Sequence, residues 1–414
     1  MTPRNRTLAV RLKPSVTAVV AGGLAGTVAL LTYQGMMALQ HLVWPPASDG
    51  SFAAPLRIFL TIILGGILLL LLTRIEPSES VNQLLRDANR PLGRSPRKIA
   101  ITALAAIVSV AFGGAIGPEA GLLAVVAECA VIVSAFIARD EAQARAIAQA
   151  GAAGVMGGLY GSPPAAAAIT GDGESLAPSR LMSFVAGISG FLAFTGLSHA
   201  IFDSTGLASI PLPEPGDGTA WLLIVPVLVG VGMGVLFRWL HHGANRLASQ
   251  IARPWVVTII GTVLFAALSA AIPLVLFSGH HEITEVIDVY SSGETGALWI
   301  LALAKIIAVV LCLVARWRGG EIFPLVFVGA AAGAATALML PGVDPAGAMA
   351  GAMAATLAVG WRRPLATLLV LVLVLDSGMA LPLLLGVGVG AVVDKIFFAA
   401  PEPREGSEKH HASA

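Results

Sequence analysis

Long apolar segments separated by short polar ones dominate the chain. A helix needs about 20 apolar residues to cross a bilayer. The pattern predicts membrane helices near residues 16–43, 54–74, 98–112, 119–138, 180–202, 219–240, 254–278, 296–315, 323–341 and 365–395. Several of these are short, and segments 150–170 and 346–360 are interrupted by glycine or proline. Interrupted helices occur at membrane depth only where protein or a water-filled cavity surrounds them, so we predict re-entrant or half-spanning helices.

The composition supports a membrane protein and argues against other classes. Of 414 residues, 56% are hydrophobic and 12% are charged, whereas a soluble domain carries roughly 25% charged residues. We therefore predict an all-α membrane protein. The net charge of +1 gives no reason to expect nucleic-acid binding. Cys129 and Cys312 lie in separate apolar segments and the histidines lack metal-ligand spacing, so neither a metal site nor a cofactor is expected.

The distribution of charged residues predicts the orientation. Residues 1–15 contain four basic residues, and cytoplasmic segments of membrane proteins are rich in lysine and arginine. We therefore expect residues 1–15 to form a cytoplasmic N-terminal segment, with the basic segment 86–98 on the same side. Segments 203–218 and 282–294 are acidic, and we expect both to be extracytoplasmic. Residues 399–414 form a short polar tail that we predict to be disordered.

Two sequence motifs recur in the same order. Residues 150–164 and 350–364 each combine an Ala-Gly-rich segment, a polar break and an apolar segment, at an offset of 200. Residues 113–118 resemble residues 319–324 at an offset of 206. Composition alone can produce such likeness, but two repeats with broken helices are typical of transporters that bind substrate at the repeat interface, near the bilayer midplane. The predicted domains are a first membrane repeat, 16–202, and a second, 219–398.

Glu119 is the candidate functional residue with the clearest physical basis. It lies between apolar segments and follows Gly117-Pro118, a pair suited to the start of a helix. A carboxylate at membrane depth is costly and by default marks a functional site. The first N–H groups of a helix attract anions. Glu119 is therefore a candidate gate that competes with an anion for helix N-termini; alternatively, it only stabilises its own helix dipole.

Four motifs resemble those of the CLC family of chloride channels and transporters, in a divergent bacterial form. Residues 116–121 resemble the family's Gly-(Arg/Lys)-Glu-Gly-Pro element, with Glu119 at the gating glutamate. Residues 320–324 resemble Gly-x-Phe-x-Pro. Residues 151–166 and 351–382 resemble the two later helix pairs, and Lys305 also fits the pattern.

This resemblance implies a CLC-like inverted-repeat helical bundle with re-entrant and broken helices. It also implies a homodimer in a bacterial cytoplasmic membrane, with one pore per subunit. The anion would be bound by backbone groups at the starts of two helices. The residues implied are Gly117, Pro118, Ala120, Gly320, Glu321, Ile322 and Phe323.

The pore hydroxyls of the family are not evident in this sequence. A serine should fall near residues 75–79, where Ser78 is a candidate hydroxyl ligand or simply a polar residue before a helix. The family's pore tyrosine lies near the C-terminus, whereas the tyrosines of this chain are Tyr33, Tyr160 and Tyr290. We therefore expect the tyrosine ligand to be absent.

The proton path of the family's exchangers is also altered. Its inner glutamate would fall at about Gly173, and the flanking Asp172 and Glu174 are candidate substitutes or plain loop acids. Glu321 adds a carboxylate within the second motif, where it contributes its N–H group or points away from the pore.

The sequence favours transmembrane transport of small monovalent anions, chloride first, through a pore gated by Glu119. The main alternative is a proton-coupled antiporter for chloride, fluoride or nitrate. A secondary transporter for a cation or metabolite is a further alternative. An intramembrane enzyme is disfavoured, because no nucleophile–base pair or paired acids can be assembled from the sequence.

Overall fold

The computed structural model describes residues 14–45, 54–75, 96–137, 141–170, 178–202, 210–214, 216, 218–375 and 378–398. Within these residues the chain forms fifteen α-helices and no β-strand. The helices are α1 Pro14–Val43, α2 Pro55–Ile75, α3 Pro96–Ala111, α4 Glu119–Ile137, α5 Glu141–Leu159, α6 Pro163–Thr170, α7 Pro178–Phe202, α8 Ile224–Ser249, α9 Pro254–Ala271, α10 Ile283–Ser291, α11 Thr295–Val314, α12 Ile322–Met339, α13 Pro345–Trp361, α14 Pro364–Val374 and α15 Ala380–Phe398. Two 3₁₀ helices, Ala220–Leu223 and Pro273–Val275, precede α8 and follow α9.

The hydrophobic pattern predicts most of these helices. Eight helices of the described part are long and apolar enough to cross a bilayer, so the chain is an integral, all-α membrane protein. Helices α6, with 8 residues, and α14, with 11 residues, are too short to cross it. Both begin with proline after a polar break, as the repeat predicts.

Three of the predicted segments need correction. Segment 365–395 is not one helix, because α14 ends at Val374 and α15 starts at Ala380. Segment 254–278 stops being α-helical after Ala271, where Pro273 starts a 3₁₀ turn. Segment 346–360 is not interrupted: glycines within α13 are tolerated, and the chain turns only at Arg362, whose φ is 62°.

The two repeats pack in the same way. Helices α1, α5 and α7 pack against one another in the first repeat, and α8, α13 and α15 do so in the second. Glycines lie at the closest approaches. A side-chain carbon at Gly154 would overlap the backbone of Gly22, and one at Gly386 would overlap the backbone of Gly351. Small residues at helix contacts allow such close approach within a membrane.

Corresponding helices of the two repeats meet at the repeat interface. Helix α2 packs against α9, and α6 against α14. The Ser162 hydroxyl donates to the Leu369 carbonyl at 2.8 Å, and the Arg318 N–H donates to the Ser109 hydroxyl at 2.8 Å. Gly117 pairs with Gly320 in an isolated antiparallel bridge. This arrangement brings the start of α4 next to the start of α12.

Candidate functional site

Two glycine-rich loops form the centre of the site. The Gly117 N–H donates to the Gly320 carbonyl at 2.8 Å, and the Gly320 N–H donates to the Gly117 carbonyl at 3.1 Å. A side-chain carbon at either glycine would overlap the carboxylate of Glu119. A side chain at either position would therefore displace the Glu119 carboxylate from between the two loops.

Glu119 is the first residue of α4, and 1% of its surface is exposed. Neither carboxylate oxygen has a hydrogen-bond partner. The carboxylate nevertheless interacts electrostatically with its own N–H, the Gly320 N–H, the Tyr160 hydroxyl and the Glu321 carboxylate. These groups are close to it, but none completes a hydrogen bond of good geometry. A buried carboxylate without such bonds is costly, so its position needs a functional explanation.

The second helix start faces the same point. Glu321 precedes α12 as its N-terminal cap residue, and the buried residues Ile322 and Phe323 open the helix. The first N–H groups of a helix have no partner within it and carry a partial positive charge. Arg363 interacts electrostatically with the Glu321 carboxylate. The N-termini of α4 and α12, rather than their carbonyl ends, therefore converge near Glu119.

Three of the predicted backbone ligands do not offer a free N–H group. The Gly117 N–H is already bonded to the Gly320 carbonyl, and Pro118 has no N–H to offer. The Gly320 N–H donates to the Gly117 carbonyl while also facing the Glu119 carboxylate. These three residues shape the site, and their role as backbone ligands stays a prediction.

The N–H groups that remain candidates belong to the first turns of the two helices. They are those of Glu119, Ala120, Glu321, Ile322 and Phe323. In the second motif, Ile322 occupies the position of the family's phenylalanine, and Phe323 follows it. The Phe323 ring lies against the Tyr160 ring.

Tyr160 is a site residue that the sequence analysis did not identify. It follows α5 directly, is 1% exposed, and its hydroxyl has no hydrogen-bond partner. Its ring lies 5.8 Å from the ring of Phe323, between centroids. The hydroxyl interacts electrostatically with the carboxylates of Glu119 and Glu321. The available signal was the position of this tyrosine, one of three in the chain, directly before the repeated polar break.

A small cavity of about 30 Å³ lies beside the site. Ile116, Pro118 and Phe323 line the end near Glu119, and His280 and Glu282 line another part of the wall. The rings of His280 and Phe323 are 4.9 Å apart, between centroids. Burial raises the pKa of Glu282, and the positive charge of Lys305 offsets part of this effect. Glu282 belongs to the acidic segment 282–294, whose sequence predicts an extracytoplasmic loop and no role in the site.

Lys305 supports the wall of this cavity. Its buried ammonium group, on α11, donates to the carbonyls of Val275, Leu276 and Phe277 at 3.1, 2.9 and 2.9 Å. The Phe277 N–H in turn donates to the Gly113 carbonyl at 3.2 Å. Lys305 thus connects α11 to the loop that precedes α4, so its role here is positioning rather than contact with a solute.

Three further predicted residues lie outside the described residues: Ser78, Asp172 and Glu174. Within the described residues, no group of three or more histidine, cysteine, aspartate or glutamate side chains is arranged to hold a metal ion.

Comparison with known proteins identifies relatives along most of the chain. The profile of the family described as "Voltage gated chloride channel" matches residues 64–395. The "Putative ion-transport protein YfeO" of Shigella flexneri is 28% identical over 398 residues, which cover 92% of each chain. The protein of the same name from Salmonella schwarzengrund is 28% identical over 342 residues, covering 80% of this chain and 81% of its own length.

Solved structures share the fold at low sequence identity. The structure of a CLC-type fluoride/proton antiporter matches with a TM-score of 0.71 and 17% identity, covering 92% of this chain and 95% of its own. A slow cyanobacterial Cl⁻/H⁺ antiporter matches with a TM-score of 0.75 and 16% identity, over 93% and 95% of the two chains. The architecture is therefore the inverted-repeat helical bundle of these antiporters.

Proposed function

Because the chain belongs to the voltage-gated chloride channel family, we propose that it transports small monovalent anions, chloride first, across the membrane. One observation carries the proposal: the N-termini of α4 and α12 converge on the buried, unpartnered carboxylate of Glu119. Helix N-termini provide N–H donors and partial positive charge without a fixed cation. Such a site binds a monovalent anion firmly enough to admit it and weakly enough to release it.

Glu119 is the proposed gate. Its carboxylate lies in the space between the two glycine-rich loops, where an anion would contact the same helix N-termini. When the carboxylate is protonated it loses its attraction for those N–H groups, so an anion can replace it. The charged or titratable groups around it are Tyr160 and Glu321, and Arg363 faces Glu321. We therefore expect anion flux to rise as the pH falls.

The experiment is anion efflux from liposomes at two pH values, with wild type and Glu119→Gln. Glutamine keeps the shape of the side chain but cannot ionise, so the variant should lose the pH dependence while still conducting chloride. Glu285→Gln, on α10 and outside the cavity lining, is the matched control and should respond to pH as wild type does. An equal pH response in Glu119→Gln and wild type would refute the gate.

Proton-coupled exchange is the second candidate function. Both structural relatives named above are anion/proton antiporters. In this chain the cavity beside Glu119 is lined by His280, His281 and Glu282, which offer protonatable groups on one side of the gate. An imposed chloride gradient distinguishes the two mechanisms: an exchanger drives protons uphill across the vesicle membrane, whereas a channel does not.

We further propose a homodimer in a bacterial cytoplasmic membrane with residues 1–15 in the cytoplasm. The relatives are bacterial, and the N-terminal basic residues favour this orientation. Several large apolar side chains are exposed along α7 and α15, and a partner subunit or lipid would cover them. Mass measurement in detergent tests the dimer, and labelling of a cysteine introduced at Thr7 in intact cells tests the orientation.

A further inference from the structure

We propose that the Tyr160 hydroxyl is a side-chain donor of the anion site, shared between the Glu119 carboxylate and the transported anion. The proposal rests on the proposed function of anion transport. The proposed donor lies at the end of α5, in the first repeat. The sequence has no tyrosine near the C-terminus that could take this role.

The Tyr160 hydroxyl is buried and lacks a hydrogen-bond partner within the described residues. The residue as a whole is 1% exposed. Buried hydroxyl groups are almost always hydrogen-bonded, because an unsatisfied one forfeits its hydration. A phenylalanine would fill an apolar position of this shape without that cost. The hydroxyl therefore has capacity to donate to a further acceptor placed beside the Glu119 carboxylate.

The Tyr160 hydroxyl lies near two carboxylates. It interacts with the carboxylates of Glu119 and Glu321, and an ionised carboxylate can only accept hydrogen bonds. The proton of the phenol is thus available toward the region where negative charge accumulates. An anion that replaces the Glu119 carboxylate there would accept from the same hydroxyl.

The position of the Tyr160 ring is fixed by its packing. It lies against the Phe323 ring at 5.8 Å between centroids, with an interplanar angle of 46°. Phe323 belongs to the first turn of α12, and the Gly117–Gly320 pair places the start of α12 beside the start of α4. The Tyr160 hydroxyl and the starts of both helices therefore lie close to the Glu119 carboxylate.

This geometry specifies a chemical class of ligand. A neutral hydroxyl together with backbone N–H groups replaces part of the hydration shell of a monovalent anion without adding charge. Directional donors favour small anions that accept strong hydrogen bonds, such as chloride, over large and weakly hydrated ones, such as thiocyanate. Tyr160 is accordingly a selectivity residue as well as an affinity residue.

The test is Tyr160→Phe, with Tyr290→Phe on α10 as the matched control. Chloride and thiocyanate efflux from liposomes and chloride binding to purified protein are measured in the wild-type and Glu119→Gln backgrounds. Loss of one neutral donor corresponds to about a 3- to 10-fold weaker chloride affinity. We expect that loss in both backgrounds, with chloride selectivity over thiocyanate reduced, and no change in Tyr290→Phe.

The Glu119→Gln background makes the outcome decisive. If Tyr160→Phe leaves chloride affinity unchanged there, the hydroxyl acts only through Glu119 and the proposal is overturned. If wild type and Glu119→Gln both carry no anion, the proposed function itself fails, which is a different result. If Tyr160→Phe does not fold, Tyr160→His, which keeps an aromatic N–H donor, should retain chloride selectivity, and its loss in a folded protein would overturn the proposal.

Discussion

A single carboxylate gives this site its chemistry. Glu119 is buried between two glycines whose lack of a side chain leaves room for its carboxylate, at the start of one helix and facing the start of another. The surrounding donors are backbone N–H groups, so the protein needs no lysine or arginine in the pore. In the proposed function, the charge on Glu119 and the charge on the anion are alternatives for the same donors, and pH selects between them.

Gly320→Ala tests how closely the second loop fits this carboxylate. A methyl group at residue 320 would overlap the Glu119 carboxylate, and an anion at that position would meet the same obstacle. We expect chloride efflux to fall at every pH and not only at high pH. Liposome efflux measures this, and Gly296→Ala is the matched control, because nothing lies within 4 Å of a side-chain carbon at that glycine. Wild-type efflux in a folded Gly320→Ala variant would contradict the geometry.

The apolar pattern predicts that a helix is present more accurately than it predicts the residues at which the helix begins and ends. Segment 365–395 reads as continuous because most of its residues are apolar, yet the chain breaks near Gly378, whose φ of 114° is accessible mainly to glycine. The sequence contained that signal beside Asp376-Ser377.

The sequence predicts the residues of the site that belong to its local motifs, but not those that reach it through the fold. Glu119 and the α12 motif are visible because glycine, proline and a carboxylate stand together in an apolar context. Tyr160 contacts Phe323 from 163 positions away, and His280 contacts the same ring from the loop before α10. Local patterns carry no information on such contacts, which depend on how the two repeats pack. The hydrogen bond from the Gly117 N–H to the Gly320 carbonyl likewise depends on the pairing of the two loops.

Gly154→Val tests the packing of the helices that frame the first half of the site. The added side chain would overlap the backbone of Gly22, so α5 and α1 must separate. Overpacking of this kind costs about 1–3 kcal/mol. We expect a lower thermal unfolding temperature in detergent, measured by the exposure of the buried Cys312 thiol. Gly196→Val, a glycine of α7 with nothing within 4 Å of its added carbon, is the matched control and should unfold near the wild-type temperature.

The whole molecule is built from two copies of one helical arrangement. Equivalent triplets, α1–α5–α7 and α8–α13–α15, form the outer parts, and the equivalent starts of α4 and α12 meet between them. The copies are not equal at their meeting point. The first contributes Glu119 and Tyr160, whereas the second contributes Glu321, Phe323 and the cavity wall around His280. Duplication supplies the two helix starts, and divergence of single side chains supplies the proposed gate.

Chloride binding to the purified protein, followed by calorimetry from acidic to alkaline pH, addresses whether Glu119 and the anion share one position. We expect wild type to bind chloride more tightly as the pH falls, since protonation removes the competing carboxylate. Glu119→Gln should bind with one affinity across the range, equal to or tighter than that of wild type at low pH. Equal, pH-independent binding by wild type and Glu119→Gln would contradict the shared position and with it the proposed gate.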